Sequence, residues 1–420
     1  MLTFNSLTAY LEKFLFSDEI QQDIPDNHLR TTITQKLDLG ETVIPVFINE
    51  YWTSRQRQTA SIHEISYRAC FKPQLPRFFI ELLTQPGDLV YDPFAGRGTT
   101  ILEAALLGRK AATNDINPLS KILIEPRLNP PPLQNIVERL HNISYSKNNQ
   151  HELDLSMFYH PQTEAEILSL RDYLRAKRDS GTEDHIDRWI RMVATNRLSG
   201  HSKGFFSVYT MPPNQAVSAE RQKKINLKRN QHPEYRNTRE LIARKSKQLM
   251  RNMDQGQIER LKEASKSALF LEKDASETRE IADQSIALIV TSPPFLNVVQ
   301  YSSDNWLRCW FNCIEMNSIE KKITMSASLN EWAAVMKSVF EELFRITRPG
   351  GWVAFEVGEV RGGSINLEET VVPLGLQCGF ACAGIMVNRQ NFTKTSNIWG
   401  IKNNRAGTNS NRIVLFNRPG

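Results

Sequence analysis

The chain has 420 residues, of which 40% are hydrophobic and 23% are charged, and its net charge is +6. This length allows a full hydrophobic core and favours two domains. No apolar run approaches the roughly 20 residues that span a bilayer, so a membrane-spanning class is excluded. The positive charge favours a polyanionic partner.

The N-terminal stretch "MLTFNSLTAYLEKFLF" carries apolar residues at helical spacing. We therefore expect an amphipathic helix within an N-terminal helical extension over residues 1–50. The stretch lacks a basic start and a small-residue cleavage site, so it is not typical of a signal peptide.

Five cysteines do not fit an even disulfide framework. The pairs Cys309/Cys313 and Cys378/Cys382 are spaced more widely than a usual zinc pair and have apolar neighbours. We expect buried thiols without a metal, and a protein of the reducing cytoplasm.

Residues 85–128 alternate between strand and helix patterns. "GDLVYDPF" predicts a short strand, "AGRGTT" a turn, "ILEAALLGRK" a helix and "AATNDIN" a second strand. This order predicts an α/β fold with a parallel, doubly wound sheet.

A proline-rich stretch at 125–133 breaks this alternation, and the chain is then polar, basic and helical in pattern to about residue 266. Strand and helix patterns return in "SALFLEKDAS", "SIALIVTSPPF", "EWAAVMKSVFEELFRIT", "WVAFEVGEV" and "NRIVLFNR". We infer one α/β domain over 51–128 and 268–420, interrupted by a mostly helical insertion at 129–267. Inserts at the carboxyl ends of parallel strands commonly serve ligand recognition.

The turn in "YDPFAGRGTT" joins a predicted strand to a predicted helix. Such a glycine turn brings backbone close to a ligand and directs helix N–H groups at it. No lysine follows the second glycine, so the turn is not a phosphate-binding P-loop, and it is not GxGxxG.

Acidic residues follow the next two predicted strands. Asp115 in "TNDINP" stands where a carboxylate typically accepts both hydroxyls of a ribose. The alternative for Asp115 is a helix N-cap ahead of Pro118. Asp274 in "LEKDAS" could accept from an adenine amino group. Together these strand ends predict a nucleoside site without a polyphosphate.

These segments resemble the amino-methylating, S-adenosylmethionine-dependent DNA methyltransferases. "DPFAGRGTT", "NDINP", "KDAS" and "TSPPF" look like motifs I to IV of that family, and "HEISYRACFKPQLPRFFI" (63–80) resembles motif X. The resemblance covers about 51–128 and 268–420, and it implies a Rossmann-like class I methyltransferase domain. The cofactor-binding residues implied are Phe71, Pro73, Asp92, Phe94, Gly96, Gly98, Thr99, Asp115 and Asp274.

The stretch "TSPPF" would be the catalytic loop. In the family, the first residue of this motif and the backbone carbonyl of the residue after it accept hydrogen bonds from the amino group of the base. Here those acceptors are Ser292 and the carbonyl of Pro293, in a corner stiffened by Pro293 and Pro294. Phe295 offers a ring on which an extruded base can stack.

The sequence has no Pro-Cys dipeptide, which excludes carbon-5 cytosine methylation of the related kind. In the family, Ser at the first position goes mostly with cytosine N4, and Asp or Asn with adenine N6. Ser292 therefore favours N4 methylation of cytosine in double-stranded DNA. The alternatives are an adenine-N6 methylase, an RNA methyltransferase and a non-catalytic DNA-binding subunit.

The chain departs from the family pattern in two ways. Ala287 stands where relatives often carry an acidic residue, and the insert precedes motif III as well as motif IV. The permutation class and the recognition sequence therefore stay open, and the resemblance leaves room for a cognate restriction endonuclease as a partner.

The insertion at 129–267 would be the target-recognition region. Residues 220–251 contain eleven Lys or Arg against three Glu, and aromatic and amide side chains at 201–218 could read base edges. A solvated helical face and inward-packed aromatics are the alternatives. The predicted phosphate contacts are Lys223, Lys224, Lys228, Arg229 and Arg236.

Overall fold

The structure is a computed structural model of the chain. It describes residues 2–16, 30–52, 60–67, 70–146, 153–211, 216–294, 301–315, 328–357, 359–360, 365–389 and 410–420.

Helices flank a central sheet in the described parts of the chain. The helices are α1 (Phe4–Glu12), α2 (Gln74–Leu83), α3 (Thr99–Leu106), α4 (Leu119–Leu128), α5 (Leu133–Asn142), α6 (Pro161–Asp179), α7 (His185–Arg197), α8 (Ala219–Arg229), α9 (Thr238–Met250), α10 (Gln255–Ser265), α11 (Tyr301–Phe311), α12 (Leu329–Ile346) and α13 (Glu368–Gln377). The strands are β1 (Leu15–Phe16), β2 (Arg30–Thr31), β3 (Ile33–Asp38), β4 (Val43–Asn49), β5 (Leu89–Asp92), β6 (Lys110–Asn114), β7 (Leu269–Leu271), β8 (Ile286–Thr291), β9 (Thr347–Val357), β10 (Glu359–Val360), β11 (Ile365–Asn366), β12 (Ala381–Arg389) and β13 (Ser410–Asn417).

Among the described residues, nine strands form one mixed sheet in the order β3-β4-β12-β13-β9-β8-β5-β6-β7. Strands β9, β8, β5, β6 and β7 run parallel, and β13 lies antiparallel between β9 and β12. The parallel part starts at β5, moves outward to β7 and returns to β8 on the other side of β5. This order confirms the predicted doubly wound, Rossmann-like α/β fold, and it puts the switch point between β5 and β8.

Strand β8 shows why this half of the sheet is parallel and central. All six residues of "IALIVT" are buried, as expected for a strand that is covered on both faces. Leu288 and Val290 pack in the cluster that contains α1 and α2, while Ile289 packs in the cluster that contains α12. The strand therefore holds its carboxyl end rigidly at the switch point.

Residues 1–50 are helical only in part. Helix α1 buries Leu7 and Leu11 completely, as the apolar spacing predicts. The rest of the prediction of a helical extension is wrong, because β3 and β4 pair with each other and β4 pairs with β12. The stretch "VIPVFIN" is rich in β-branched residues, which favour a strand.

The insertion at 129–267 consists of helices α5 to α10 in its described parts, as the pattern predicts. Its helices share one apolar core with helices of the α/β domain. Trp189 of α7, Ile242 of α9 and Leu261 of α10 pack in the same cluster as Ile101 of α3 and Leu123 of α4. The insertion is therefore a helical layer of the domain rather than a separate lobe, and its role in target recognition stays a prediction.

Candidate active site

The strands that carry motifs I, II and IV end at one edge of the sheet. Parallel neighbours present their carboxyl ends together, so Asp92 on β5, Asn114 on β6 and Thr291 on β8 end at the same edge. The candidate site lies at this edge, around the switch point.

A buried hydrogen-bond network holds motif I against motif IV. The Thr291 hydroxyl donates to Asp92 Oδ1 at 2.6 Å, and the Phe94 N–H donates to the same oxygen at 3.1 Å. The Thr100 hydroxyl donates to the Val290 carbonyl at 3.1 Å. Asp92 is only 1% exposed, and this burial raises its pKa to about 7. Its carboxyl group therefore positions the two motifs, and its predicted cofactor contact stays a prediction.

The motif I turn depends on two glycines. Gly96 and Gly98 have φ angles of 51° and 75°, in the left-handed region that favours glycine. A Cβ atom on Gly98 would lie 2.4 Å from the Ile124 side chain of α4. Thr99 begins α3 directly after this turn, so the N–H groups of the first helical turn lie beside the loop.

Asp115 fastens the same turn. Its Oδ2 accepts from the Gly96 N–H at 2.8 Å, and its Oδ1 accepts from the Asn117 N–H at 2.9 Å. Burial raises its pKa to about 6, although both hydrogen bonds act in the opposite direction. The start of α4 is bound by Asn117 and not by Asp115. Asn117 Oδ1 accepts a hydrogen bond from the Leu119 N–H at 3.0 Å. Each oxygen of Asp115 keeps a second lone pair for a ligand.

Motif X lies over the motif I turn. The Arg97 guanidinium donates to the carbonyls of Ile65 at 3.1 Å and Phe71 at 3.4 Å. The Tyr67 ring packs beside Gly96, where a Cβ atom would lie 3.6 Å from its Cε1. These contacts place the predicted cofactor residue Phe71 near the glycine turn.

The other two predicted cofactor residues differ in exposure. Pro73 is buried directly before α2. Asp274 is exposed, and its Oδ1 accepts from the Ser276 N–H at 2.9 Å and hydroxyl at 2.7 Å. The Asn114 side chain accepts from the Lys273 N–H at 3.2 Å and donates to its carbonyl at 3.0 Å. Asp274 thus follows a backbone segment that is fixed to the end of β6.

The Ser-Pro-Pro corner is held by buried side chains. Ser292 directly follows Thr291, which pairs with Phe355, so it lies beside the buried Glu356 of β9. The Trp332 indole N–H donates to the Pro294 carbonyl at 2.9 Å. No described residue donates to the carbonyl of Pro293, the predicted second acceptor. Phe295 lies outside the described residues.

Glu356 and Asn411 are site residues that the sequence analysis missed. Thr291 of β8 pairs with Phe355 of β9, so the next residues, Ser292 and Glu356, are neighbours. The Asn411 side-chain amide donates to Glu356 Oε1 from β13. Glu356 is 9% exposed, and burial raises its pKa to about 7. The sequence feature that could have indicated Glu356 is an acidic residue inside the apolar strand "WVAFEV".

Four of the predicted phosphate contacts lie on the exposed face of α8: Lys223, Lys224, Lys228 and Arg229. The Lys223 ammonium lies 3.8 Å from the Asp154 carboxylate. The Arg229 guanidinium lies 3.8 Å from the centre of the Tyr209 ring.

Arg236 is placed differently. Its guanidinium is half-buried and donates to the carbonyls of Phe205 at 2.8 Å, Ser202 at 3.2 Å and Ser207. Arg236 therefore holds this loop, and a phosphate contact would compete with these hydrogen bonds.

The segment before α8 contacts the helix after the catalytic loop. The Trp306 indole N–H of α11 donates to the Val217 carbonyl at 3.0 Å, and the Ala216 N–H donates to the Asp304 carbonyl at 2.8 Å. These bonds fix the start of the basic helix to α11, which follows motif IV in the chain.

Two further findings concern metals and membranes. The described residues contain no group of three His, Cys, Asp or Glu side chains arranged to hold a metal ion. All five cysteines are free thiols, with Cys309 and Cys382 buried. No helix in the described ranges combines the length and apolar character needed to cross a bilayer.

Residues 24–125 match a family model described as DNA methylase, of the N6 and N4 type. This segment contains motifs X, I and II. Over 292 residues the chain is 25% identical to the type II methyltransferase M.MvaI of Kocuria varians, an alignment that covers 64% of this chain and 59% of that protein.

Two further similarities are shorter. The chain is 42% identical over 69 residues to the type II methyltransferase M.BsoBI of Geobacillus stearothermophilus, covering 16% of this chain and 14% of that protein. It is 30% identical over 94 residues to a tRNA (guanine(10)-N2)-dimethyltransferase of Methanocaldococcus jannaschii, covering 22% and 26%. The chain thus spans about three fifths of the M.MvaI relative and much less of the other two. Over residues 24–125 the chain is thus similar to the amino-methylating DNA methylases.

Proposed function

We propose that this protein transfers a methyl group from S-adenosylmethionine to the N4 amino group of a cytosine extruded from double-stranded DNA. The observation that carries the proposal is the Ser-Pro-Pro corner at the end of β8. Its Pro294 carbonyl accepts from the buried Trp332, Ser292 lies beside the buried Glu356, and no described residue donates to the Pro293 carbonyl between them. The corner stands at the switch point, beside the glycine turn after β5.

The residues at this edge fit a nucleoside cofactor. The glycine turn leads directly into the N-terminus of α3, and the carboxylates of Asp115 and Asp274 suit hydroxyl and amino donors. Phe71 and Pro73 would flank the methionine end, as the resemblance implies. When bound there, the cofactor supplies the methyl group.

The corner would act on the lone pair of the amino nitrogen. In a base this lone pair is delocalised into the ring, which makes the nitrogen a poor nucleophile. Ser292 Oγ and the Pro293 carbonyl accept its two N–H groups and favour a pyramidal nitrogen. The locked φ of proline and the Trp332 hydrogen bond keep these acceptors in place, so little reorganisation is needed in the transition state.

The choice of cytosine rests on Ser292 at the first position of the corner. The family description covers both N4 and N6 methylation, so an adenine product is the alternative outcome.

The DNA would meet the basic face of α8, whose start is fixed to α11. A restriction endonuclease as partner stays a prediction.

Mass analysis of nucleosides tests this proposal. DNA from a host that expresses the protein should contain N4-methylcytosine, and the Ser292→Ala variant should reduce it by at least about tenfold, the worth of a hydrogen bond made in the transition state. Ser285→Ala is the matched control, because this hydroxyl lies directly before β8 and donates to the Ala282 carbonyl at 2.6 Å.

The control should leave the product unchanged. N6-methyladenine in place of N4-methylcytosine would move the proposal to adenine. DNA without either base in hosts making folded protein would refute methylation of DNA.

A further inference from the structure

Two side chains from different helices donate to one backbone carbonyl beside the candidate site. Asn196 Nδ2 of α7 lies 2.9 Å from the Ser66 carbonyl oxygen, and Arg308 Nη2 of α11 lies 3.1 Å from it. A carbonyl oxygen has two lone pairs, so these donors occupy both. We call this contact the Ser66 junction. It joins the motif X segment to the insertion through α7, and to the helix after the catalytic corner through α11.

Both donors of the Ser66 junction are held by further hydrogen bonds. Asn196 Oδ1 accepts from Arg197 Nη2 at 2.7 Å. Arg308 Nη1 donates to Asn305 Oδ1 at 2.8 Å. Because arginine has donors only, the amide oxygen of Asn196 faces Arg197 and its NH₂ group faces Ser66. Asn196 and Arg308 are both buried, so these bonds are shielded from water.

The segment held by the Ser66 junction lies against the glycine turn. The next residue, Tyr67, packs its ring beside Gly96, and its Cε1 atom lies 3.6 Å from where a Cβ of Gly96 would stand. The preceding carbonyl, of Ile65, accepts from Arg97 of the turn at 3.1 Å. The junction is therefore one residue away from the wall of the site proposed for the cofactor.

A second helix of the insertion holds the same segment. The Ser61 hydroxyl donates to the Leu249 carbonyl of α9 at 2.9 Å. The Gln248 amide donates to one oxygen of Glu64 at 2.8 Å, and the Arg251 guanidinium donates to the other at 2.6 Å. The insertion thus contacts the start, the middle and the end of residues 61–66.

We propose that the helical insertion is part of the cofactor-binding site, with Asn196 and Arg308 as positioning residues that hold Tyr67 and its neighbours over the glycine turn. The inference rests on the cofactor site of the proposed function, and it does not depend on which base is methylated. It gives the insertion a role beside the predicted one in target recognition. When the Ser66 carbonyl loses a donor, the segment gains freedom that the cofactor must remove on binding, so the cofactor binds less tightly.

Two substitutions each remove one donor of the Ser66 junction. In Asn196→Asp the carboxylate still accepts from Arg197, but it presents an oxygen instead of an NH₂ group to the Ser66 carbonyl. Arg308→Met removes the other donor and keeps a long apolar side chain. Calorimetric titration of S-adenosylmethionine without DNA should show about 3- to 10-fold weaker binding to each variant, the worth of one hydrogen bond.

Thr195→Val is the matched control. The Thr195 hydroxyl accepts from the Asn312 amide at 2.9 Å, so it joins α7 to α11 next to the Ser66 junction, and among the described residues it bonds to no part of 61–67. This variant should bind S-adenosylmethionine as the wild type does. A purely structural role would lower the stability of all three variants alike in urea unfolding and leave cofactor affinity unchanged.

Arg308→Lys tests rescue. Its ammonium group can donate to a carbonyl, so this variant should recover part of the affinity that Arg308→Met loses. Arg308→Lys and Asn196→Asp also carry the test if urea unfolding shows that Arg308→Met does not fold.

Alkylation of Cys70 provides a measurement that needs no cofactor. Its Sγ atom lies 3.8 Å from where a Cβ of Gly96 would stand, so the thiol reports whether motif X stays on the turn. Iodoacetamide should modify Cys70 at least about threefold faster in Asn196→Asp than in wild type, because the segment opens more often. Cys378, directly after α13, should react at the same rate in both proteins and is the internal control.

Wild-type affinity for S-adenosylmethionine in folded Asn196→Asp and Arg308→Met would overturn the inference, as would unchanged labelling of Cys70. Weaker DNA binding by Arg308→Met together with wild-type cofactor affinity would also overturn it and make Arg308 a phosphate contact. A wild type that binds the cofactor but methylates no DNA would instead refute the proposed function and leave this inference standing, so the two failures are distinguishable.

Discussion

Both oxygens of Asp115 accept backbone hydrogen bonds, from Gly96 at 2.8 Å and Asn117 at 2.9 Å. A bound ribose would use the remaining lone pairs of the same carboxylate. We expect Asp115→Ala to weaken S-adenosylmethionine binding by about 1–3 kcal/mol, the usual loss for hydrogen bonds to a charged group.

Calorimetric titration of the cofactor measures this loss. Asp38→Ala is the control, because that aspartate forms a similar turn, with the Gly40 N–H at 2.9 Å, on the distant strand β3. Unchanged cofactor affinity in Asp115→Ala would reduce Asp115 to a turn-forming residue.

Three carboxyl groups at the site, of which Asp92 and Glu356 are buried, make stability depend on pH. Burial raises the pKa of Asp92 and Glu356 to about 7 and that of Asp115 to about 6, above the roughly 4 of unfolded carboxyls. The folded state therefore binds more protons between these values, and the free energy of unfolding should increase by about 1–2 kcal/mol from pH 8 to 6.5.

Urea unfolding without cofactor at several pH values checks this sign. Asp92→Asn and Glu356→Gln should each flatten the dependence. Stability that stays constant or decreases from pH 8 to 6.5 would show that these carboxylates are ionised in the folded protein.

The positions of single residues were predictable where a local motif carries them, and their roles stay predictions. The glycine turn, Asp115 and Ser292 each follow a strand pattern that is visible in a few consecutive letters. Glu356 and Asn411 were missed because they meet only when β9 and β13 pair, 55 residues apart in the chain. Trp332 reaches the Pro294 carbonyl from 38 residues away, and no short pattern indicates such a contact.

At the scale of elements, helix α8 presents five basic side chains to solvent, the four predicted phosphate contacts and Arg221, with Leu227 exposed among them. Neutralising Lys223, Lys224 and Arg229 should weaken DNA binding and lower its salt dependence. Each lost phosphate contact should reduce the slope by about 0.9.

The comparison is a variant that removes three exposed basic residues elsewhere, Lys262, Lys266 and Arg279, and so has the same net charge. DNA-binding titrations at about 50 to 200 mM salt measure the salt dependence of both variants. Equal slopes for the two variants would mean that α8 makes no specific phosphate contact.

Elements were predictable where hydrophobic periodicity is strong. The strand patterns that became β5, β6, β8 and β9 and the helix pattern that became α12 are confirmed. The first proline of the stretch at 125–133 does not end a helix. Pro126 lies within α4, close to the end of that helix. Helix α13 was missed since Pro373 and Gly375 weaken its pattern. Strand β12 was missed because Gly384 interrupts its apolar run.

At the scale of the whole molecule, the inserted helices and the α/β domain share one core. Trp189 and Leu261 from the insertion are fully buried with Ile101 of α3. The sequence predicted boundaries of the insertion at residues 128 and 268 from its polarity and charge. These properties describe the side chains on the outer face of the insertion. The inner face becomes visible only when the helices pack, so shared burial could not be predicted.

The pairing of β4 with β12 bears on how the protein is made. The Tyr51 N–H donates at 2.8 Å to the side chain of Asn388, 337 positions later in the chain. Strand β4 leaves the ribosome long before its partner β12 is synthesised. Contacts between such distant segments form slowly because a long loop must close first. The completed sheet therefore requires β12, and a translation product that stops before β12 leaves β4 as an open edge exposed to aggregation.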